Sequence, residues 1–226
     1  MSRAPGSKAR TSGSKARAPG SKREDRKPAA AARRLAYGTV SGMLPVRTGH
    51  LLVAMPVLTD PNFDRTVVYV VDHGDHGTLG VVLNRPSDTD LLDILPGWWS
   101  LAASPRTFHV GGPCERDTAL CLGVGNPPSD VPGLRPVAQP VHLVDLDADP
   151  AITGAVLDRL RVFAGYAGWG PGQLAGEIAE QAWVVVPSRP EDVVSAAGVE
   201  LWRSVLRRQG GTLALLSAYT EDSSLN

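Results

Sequence analysis

The sequence predicts an α+β domain, and three observations predict it. Between Leu51 and Leu83 three apolar runs rich in Val, Leu and Tyr are separated by short polar connections, as expected of strands. The second and third runs are joined by His73-Gly74-Asp75-His76-Gly77, a glycine-bearing link that makes a hairpin of residues 66–84 and so implies antiparallel pairing. Further along, Gly198–Arg208 places Leu201, Trp202, Val205 and Leu206 on one side and Arg203, Arg207 and Arg208 on the other, the pattern of a packed helix.

In chain order, Leu51–Met55 reads as a strand covered on both faces, because it is continuously apolar. Asp60-Pro61 then sets a helix start, with Asp60 as N-cap and Pro61 at the first helical position, for a single turn through Arg65. Thr66–Val71 and Leu79–Leu83 are the hairpin strands. Asp88–Leu95 carries Leu91, Leu92 and Leu95 at helical spacing and stops at Pro96-Gly97. Strands are expected at Thr107–Val110, Ala119–Leu122 and Val141–Val144, with residues 123–140 as loop. Asp149-Pro150 opens a helix in which Ile152, Val156, Leu160 and Phe163 form one stripe. Pro171 opens another, reaching Ala182 with Leu174 and Ile178 inward and Gln173, Glu177 and Glu180 outward. A strand at Trp183–Val186, a turn into a short helix at 187–192, the helix at 198–208, a strand at Thr212–Tyr219 and a fraying end at 221–226 complete the reading.

Charge divides the chain. Its formal net charge is zero, yet residues 1–34 hold 11 Lys or Arg against Glu24 and Asp25, a balance of +9, while residues 35–226 hold 12 Arg and 21 acids, a balance of −9. The first segment repeats RAPGSK and GSKAR and has no large apolar residue after Met1, so it is expected to be a disordered basic tail, with residues 35–226 as one domain. Two uses fit it: nonspecific nucleic-acid contact through counterion release, or a solvated extension without a partner. The body is negative and shows no helix-turn-helix pattern, so direct DNA reading by it is not expected.

No run is long enough for a membrane span and no secretory h-region begins the chain, so a cytoplasmic location and no membrane partner are expected. Phosphate-loop, dinucleotide, zinc-protease and serine-hydrolase motifs are missing from the sequence, and no cofactor is expected.

Four groups of residues could form a site. Asp60, Asn62, Arg65, Asn84 and Arg85 sit at the ends of neighbouring strands; two guanidiniums beside amides suit a small carboxylate or phosphate, and turn capping explains the same residues without a ligand. Gly111-Gly112 permits close approach of a ligand or of another strand, beside Cys114, whose thiol would need His109 or Arg116 to activate it; Cys121 lies in an apolar run. Asp72, His73, Asp75 and His76 are metal-ligand types, but a hairpin turn rarely wraps one ion, and no metal is expected. Tyr166, Trp169, Gln173, Glu177 and Trp183 either line a groove or divide between core and helix exterior.

Four segments carry a resemblance: MP-x-L-x-DP-x-F-x-R at Met55–Arg65, GxLGVVLNRP at Gly77–Pro86, GGP at Gly111–Pro113 and GYAGW-x-x-GQL at Gly165–Leu174. Together they resemble the YqgE/AlgH family of bacterial proteins over about residues 42–219. The resemblance implies a mostly antiparallel, bifurcated sheet folded into a pseudo-barrel with surrounding helices. Some members are labelled transcriptional regulators of alginate synthesis, and the resemblance carries no catalytic residue over to this chain. Thr66 stands where serine is usual and Ala175 where glutamate is usual, so a carboxylate role at the latter position is not implied.

Overall fold

The computed structural model describes residues 44–218. The expectations for residues 1–34 and 221–226 fall outside that range.

Ten strands form the sheet: β1 (His50–Ala54), β2 (Val67–Gly74), β3 (Gly77–Val82), β4 (Pro86–Asp90), β5 (Thr107–Val110), β6 (Cys114–Val124), β7 (Leu134–Ala138), β8 (Val141–Val144), β9 (Arg159–Trp169) and β10 (Trp183–Pro187). The main path runs β10-β1-β2-β3-β9-β6-β8-β7, and β4 and β5 branch from it. The branch point is β9. Its C-terminal half pairs with β3, from Thr78↔Trp169 to Gly80↔Ala167, while further back along the same edge it takes β5 in parallel at His109↔Phe163 and Val110↔Ala164. Its other edge pairs with β6. Every remaining pairing between these strands is antiparallel, so the curled sheet divides at one strand and forms the bifurcated half-barrel the resemblance implies.

Gly111 and Gly112 stand at the division. Gly111 N–H donates to Ala164 O, and its carbonyl accepts from Val82 N–H, so it carries the ladder from the end of β3 to β5. A Cβ at either glycine would run into the β9 backbone around Gly165 and Tyr166. Close approach of a strand is therefore what requires the pair.

Among the described residues six short helices surround the sheet: α1 (Leu91–Ile94), α2 (Pro150–Thr153), α3 (Gln173–Ala179), α4 (Pro190–Val193), α5 (Glu200–Arg207) and α6 (Gly211–Leu216). Alternation along β1, β2 and β10 feeds two cores. Leu51, Val53, Tyr69, Val184 and Val186 pack with Trp202, Val205 and Leu206 of α5, and Leu52, Val68, Val70, Trp183 and Val185 pack beneath Leu174 of α3. A third core, with Leu91, Trp98, Phe108, Leu160 and Val162, fills the branch. Each large aliphatic side chain so buried contributes roughly 1.5–3 kcal/mol. Trp202 Nε1 also donates to Ala54 O at 2.7 Å, fixing α5 on β1.

Several expectations are corrected. The stripe from Ile152 to Phe163 is not one helix: α2 ends at Thr153, a 3-10 turn follows at Gly154–Val156, and Leu160 and Phe163 belong to β9, on its opposite faces. Ile152 is 60% exposed. Spacings of four and eight residues fit a two-residue period as well as a helical one, and glycines at 165 and 168 disfavour helix. Residues 123–140 contain β7, whose Pro136 is tolerated because β7 ends the sheet path. Thr212–Tyr219 is not a strand. Its described part forms α6 after positive-φ Gly210 and Gly211, since Leu and Ala favour helix where no sheet edge is offered. The expected helix at Asp88–Leu95 shrinks to α1, because residues up to Asp90 extend as β4 and Asp90 caps α1 by accepting from Leu92 N–H.

Candidate functional site

The Asp60–Arg65 segment is a hydrogen-bonded turn. Asp60 O accepts from Phe63 and Asp64 N–H, and Asp60 Oδ1 accepts from both the backbone and side-chain N–H of Asn62, at 2.8 and 3.0 Å. The turn ends with Arg65 at φ +51°, a left-handed conformation rarely taken by a residue with a side chain. Asn84 holds it there: Nδ2 donates to Arg65 O and Oδ1 accepts from Val67 N–H, both at 2.9 Å. Asn84 is fully buried, and its amide is spent on these bonds. Arg85 completes the clamp by donating Nη2 to Asp64 O at 2.7 Å.

Of the five polar residues expected together, Asp60, Asn62 and Asn84 thus act chiefly on the backbone. The two arginines keep capacity for a ligand. Arg85 Nη2 is the nitrogen engaged with the turn, and the Arg65 side chain makes no hydrogen bond or ion pair with the described residues.

Arg85 forms part of the wall of two small pockets, each about 220 Å³. On one side it meets Asp64, Arg65, Trp202 and Arg203; on the other it meets Asn62, Gly112 and Arg116. Four arginines therefore border this divided cleft: Arg203, Arg65, Arg85 and Arg116. Sequence reasoning missed Arg203, which comes from α5, far along the chain; its placement on the polar side of a helix gave no hint of what that side faces. Arg203 Nη1 also pairs with Glu200 at 2.5 Å.

The second group separates. His109 does not serve Cys114; it is buried with Arg161 Nη1 at 2.5 Å from its Nε2. Arg161 also donates to the carbonyls of Ser104, Val193, Val194 and Ser195, tying β9 to the C-terminal end of α4. Desolvation and then the nearby guanidinium push the His109 pKa down to about 4, and desolvation lowers that of Arg161 to about 10. Cys121 is in the third core, where burial raises its thiol pKa.

In the hairpin, His76 Nε2 lies 2.9 Å from Asp72 Oδ2, and His73 Nδ1 lies 2.7 Å from Thr78 Oγ1. Among the described residues no group of three or more His, Cys, Asp or Glu is arranged to hold a metal ion.

Four members of the aromatic group, Trp169, Gln173, Glu177 and Trp183, form one unit, while Tyr166 packs against the first core on the other face of β9. Glu177 Oε2 accepts from the indole N–H of both Trp169 and Trp183, each at 2.9 Å, and Oε1 accepts from Gln173 at 3.0 Å. Phe63 packs against both indoles. Glu177 was expected to point outward; instead the two donors draw it in over the rings. This links the GYAGW-x-x-GQL segment to the turn that carries Arg65.

The turn, the division at Gly111-Gly112 and the tryptophan clasp all lie within the stretch that a known family profile matches. The AlgH-like family profile matches residues 51–214. The chain belongs to the AlgH-like family. Among its relatives, a UPF0301 protein of Mycobacterium tuberculosis is 50% identical over 184 residues, covering 80% of this chain and 91% of that protein. A UPF0301 protein of Mycobacterium avium is 50% identical over 184 residues, covering 80% and 92%. A crystal structure of a Corynebacterium diphtheriae protein matches with a TM-score of 0.75 at 32% identity, over 79% of this chain and 95% of that one. The solution structure of AlgH from Pseudomonas aeruginosa matches with a TM-score of 0.59 at 27% identity, over 80% and 100%. The two solved structures share the architecture, and the names of all four relatives specify no reaction.

Proposed function

We propose that this AlgH-like protein is a cytoplasmic regulatory protein that binds a small anion, a phosphate or carboxylate compound, in the cleft divided by Arg85. The observation that carries this reading is the placement of Arg65, Arg85, Arg116 and Arg203 around two adjoining pockets in a body that otherwise carries an excess of acids. A guanidinium presents a planar fork of donors that matches such oxyanions. The left-handed backbone at Arg65 supports the same reading, because a disfavoured conformation held by a buried asparagine gives that side chain a fixed origin. Asp64 also borders the cleft and disfavours a ligand of excess negative charge on that side.

Binding without covalent chemistry fits the surroundings. His109, the base the sequence offered to Cys114, is buried against Arg161, which leaves the half-buried Cys114 without that imidazole, and Cys121 lies in an apolar core.

The test is a thermal-shift screen with inorganic phosphate, citrate and nucleotides. A ligand present at a hundred times its Kd adds roughly 2.7 kcal/mol of stability. We expect a reproducible rise in Tm with at least one of them, lost in Arg65→Ala and in Arg203→Ala. A flat screen, or a rise unchanged in both variants, rules this site out.

A further inference from the structure

A second recognition surface lies on the branch of the sheet, away from the tryptophan clasp. It is an open groove of about 730 Å³. Phe108 of β5, Ala164 of β9 and Cys121 of β6 contribute to its lining, with Leu95 at the end of α1 and Val144 at the end of β8. Nothing described fills it.

One side of the groove is an unfinished sheet edge. β8 pairs with β6 only from Leu122↔Leu143 to Val124↔Val141. The direction of each β6 backbone group follows from the bonds at its end. Val124 O accepts from Asp158 N–H on the β9 side, and Gly125 N–H donates to Pro140 O on the β8 side. Backbone groups alternate along a strand, so Gly123, Cys121 and Ala119 point toward β8. Val144, the last residue of β8, stands opposite Cys121, and the chain then turns away through Asp145. Ala119 therefore offers its N–H and C=O to a position where β8 has already ended. The β6 segment before it, from Glu115 to Thr118, is exposed and has left its register with β9.

Charge indicates what would complete this edge. Asp117, Asp145 and Asp147 line the groove, on the side where β6 and the end of β8 meet. None of the three is within ion-pair distance of a cation among the described residues. Arg116 is the single basic residue of the lining, and it also borders the anion cleft.

We propose that this groove binds an extended, cationic segment of a partner protein. The segment adds to β6 as a strand in line with β8, antiparallel to β6, with alternate apolar side chains in the groove and flanking Lys or Arg against the aspartates. Main-chain bonds at Ala119 supply affinity; the apolar lining and the acidic rim supply selectivity. Apart from Arg116 this surface shares no lining residue with the anion cleft, and its test does not depend on anion binding.

The experiment measures fluorescence anisotropy of a short labelled peptide of alternating valine and threonine flanked by lysines, titrated with the full chain. The control is the same peptide flanked by glutamates. Binding of the lysine peptide at least tenfold tighter than the control, weakening with added salt, is the result expected. Ala119→Pro removes the offered N–H without removing a bond to β9, and it should abolish binding while circular dichroism and Tm stay near those of the parent. Should that variant fail to fold, the double change Asp117→Asn with Asp145→Asn must lower affinity at least fivefold. Equal binding of the two peptides, or undiminished binding by a folded Ala119→Pro chain, overturns the proposal. So does concentration-dependent dimerisation that Ala119→Pro abolishes in a chain that ignores the peptide, which would give the edge to a second copy.

Discussion

His109 and Arg161 share a hydrogen bond that only a neutral imidazole can complete, because Nε2 must accept from the guanidinium. Below its ordinary pKa the imidazole of the unfolded chain takes up a proton that the folded chain refuses until about pH 4. Between those limits the unfolded state binds more protons, so stability falls as pH drops from about 6.5 to about 4, by roughly 3 kcal/mol in all. Urea titrations at pH 7 and pH 4.5 check this. His109→Gln, which retains an acceptor but cannot titrate, should flatten the difference. None of this was legible in the sequence, where His109 stands beside Cys114 and Arg161 lies 52 residues away. Asn84 is the opposite case. An asparagine before Arg-Pro reads as a turn residue, and its buried amide does secure one, though the turn it secures is the remote one ending at Arg65.

Single elements differed in how far their sequence disclosed them. The apolar runs of β1, β2, β3 and β10 declared themselves because both faces are covered, and α5 did so because its stripe is narrow and its outer side charged. β9 was hidden by a coincidence of period at Ile152, Val156 and Leu160, and α6 by being too short for its pattern to choose. The helix α3 was visible, but the role of its Glu177 was not, since a carboxylate on a polar face gives no sign of two indole donors beyond it. Glu177→Leu strips the acceptor from Trp169 and Trp183 and should cost about 2–6 kcal/mol, because each of the two stranded donors costs roughly 1–3. Chemical denaturation followed by tryptophan fluorescence reads both the loss and the altered setting of the rings. A cost below 1 kcal/mol would show that water replaces the carboxylate. The same clasp carries Phe63, so a loosened clasp should also weaken anion-dependent stabilisation at Arg65.

The opposed charges of the two parts, +9 for residues 1–34 and −9 for residues 35–226, make a statement about the whole molecule. We propose that the first part is a basic tail and the second the AlgH-like domain, with nucleic-acid contact confined to the tail. Electrophoretic mobility shifts should show the full chain binding duplex DNA with a steep loss between 50 and 200 mM salt. A chain starting at Leu35 should not bind. Equal behaviour of the two removes the tail's role.

The register His50↔Pro187 sets a schedule for synthesis as well as a place in the sheet. One edge of β1 pairs with β2 soon after both leave the ribosome, but the other waits for a strand made 137 residues later. At about 5–20 residues per second, that wait lasts roughly 7–27 s. Throughout it an apolar strand, Leu51 to Ala54, stays open along one side in the nascent chain. Closing that seam is the last third's contribution, and a chain stalled before Trp183 leaves the ribosome with a sticky edge where the finished protein has none.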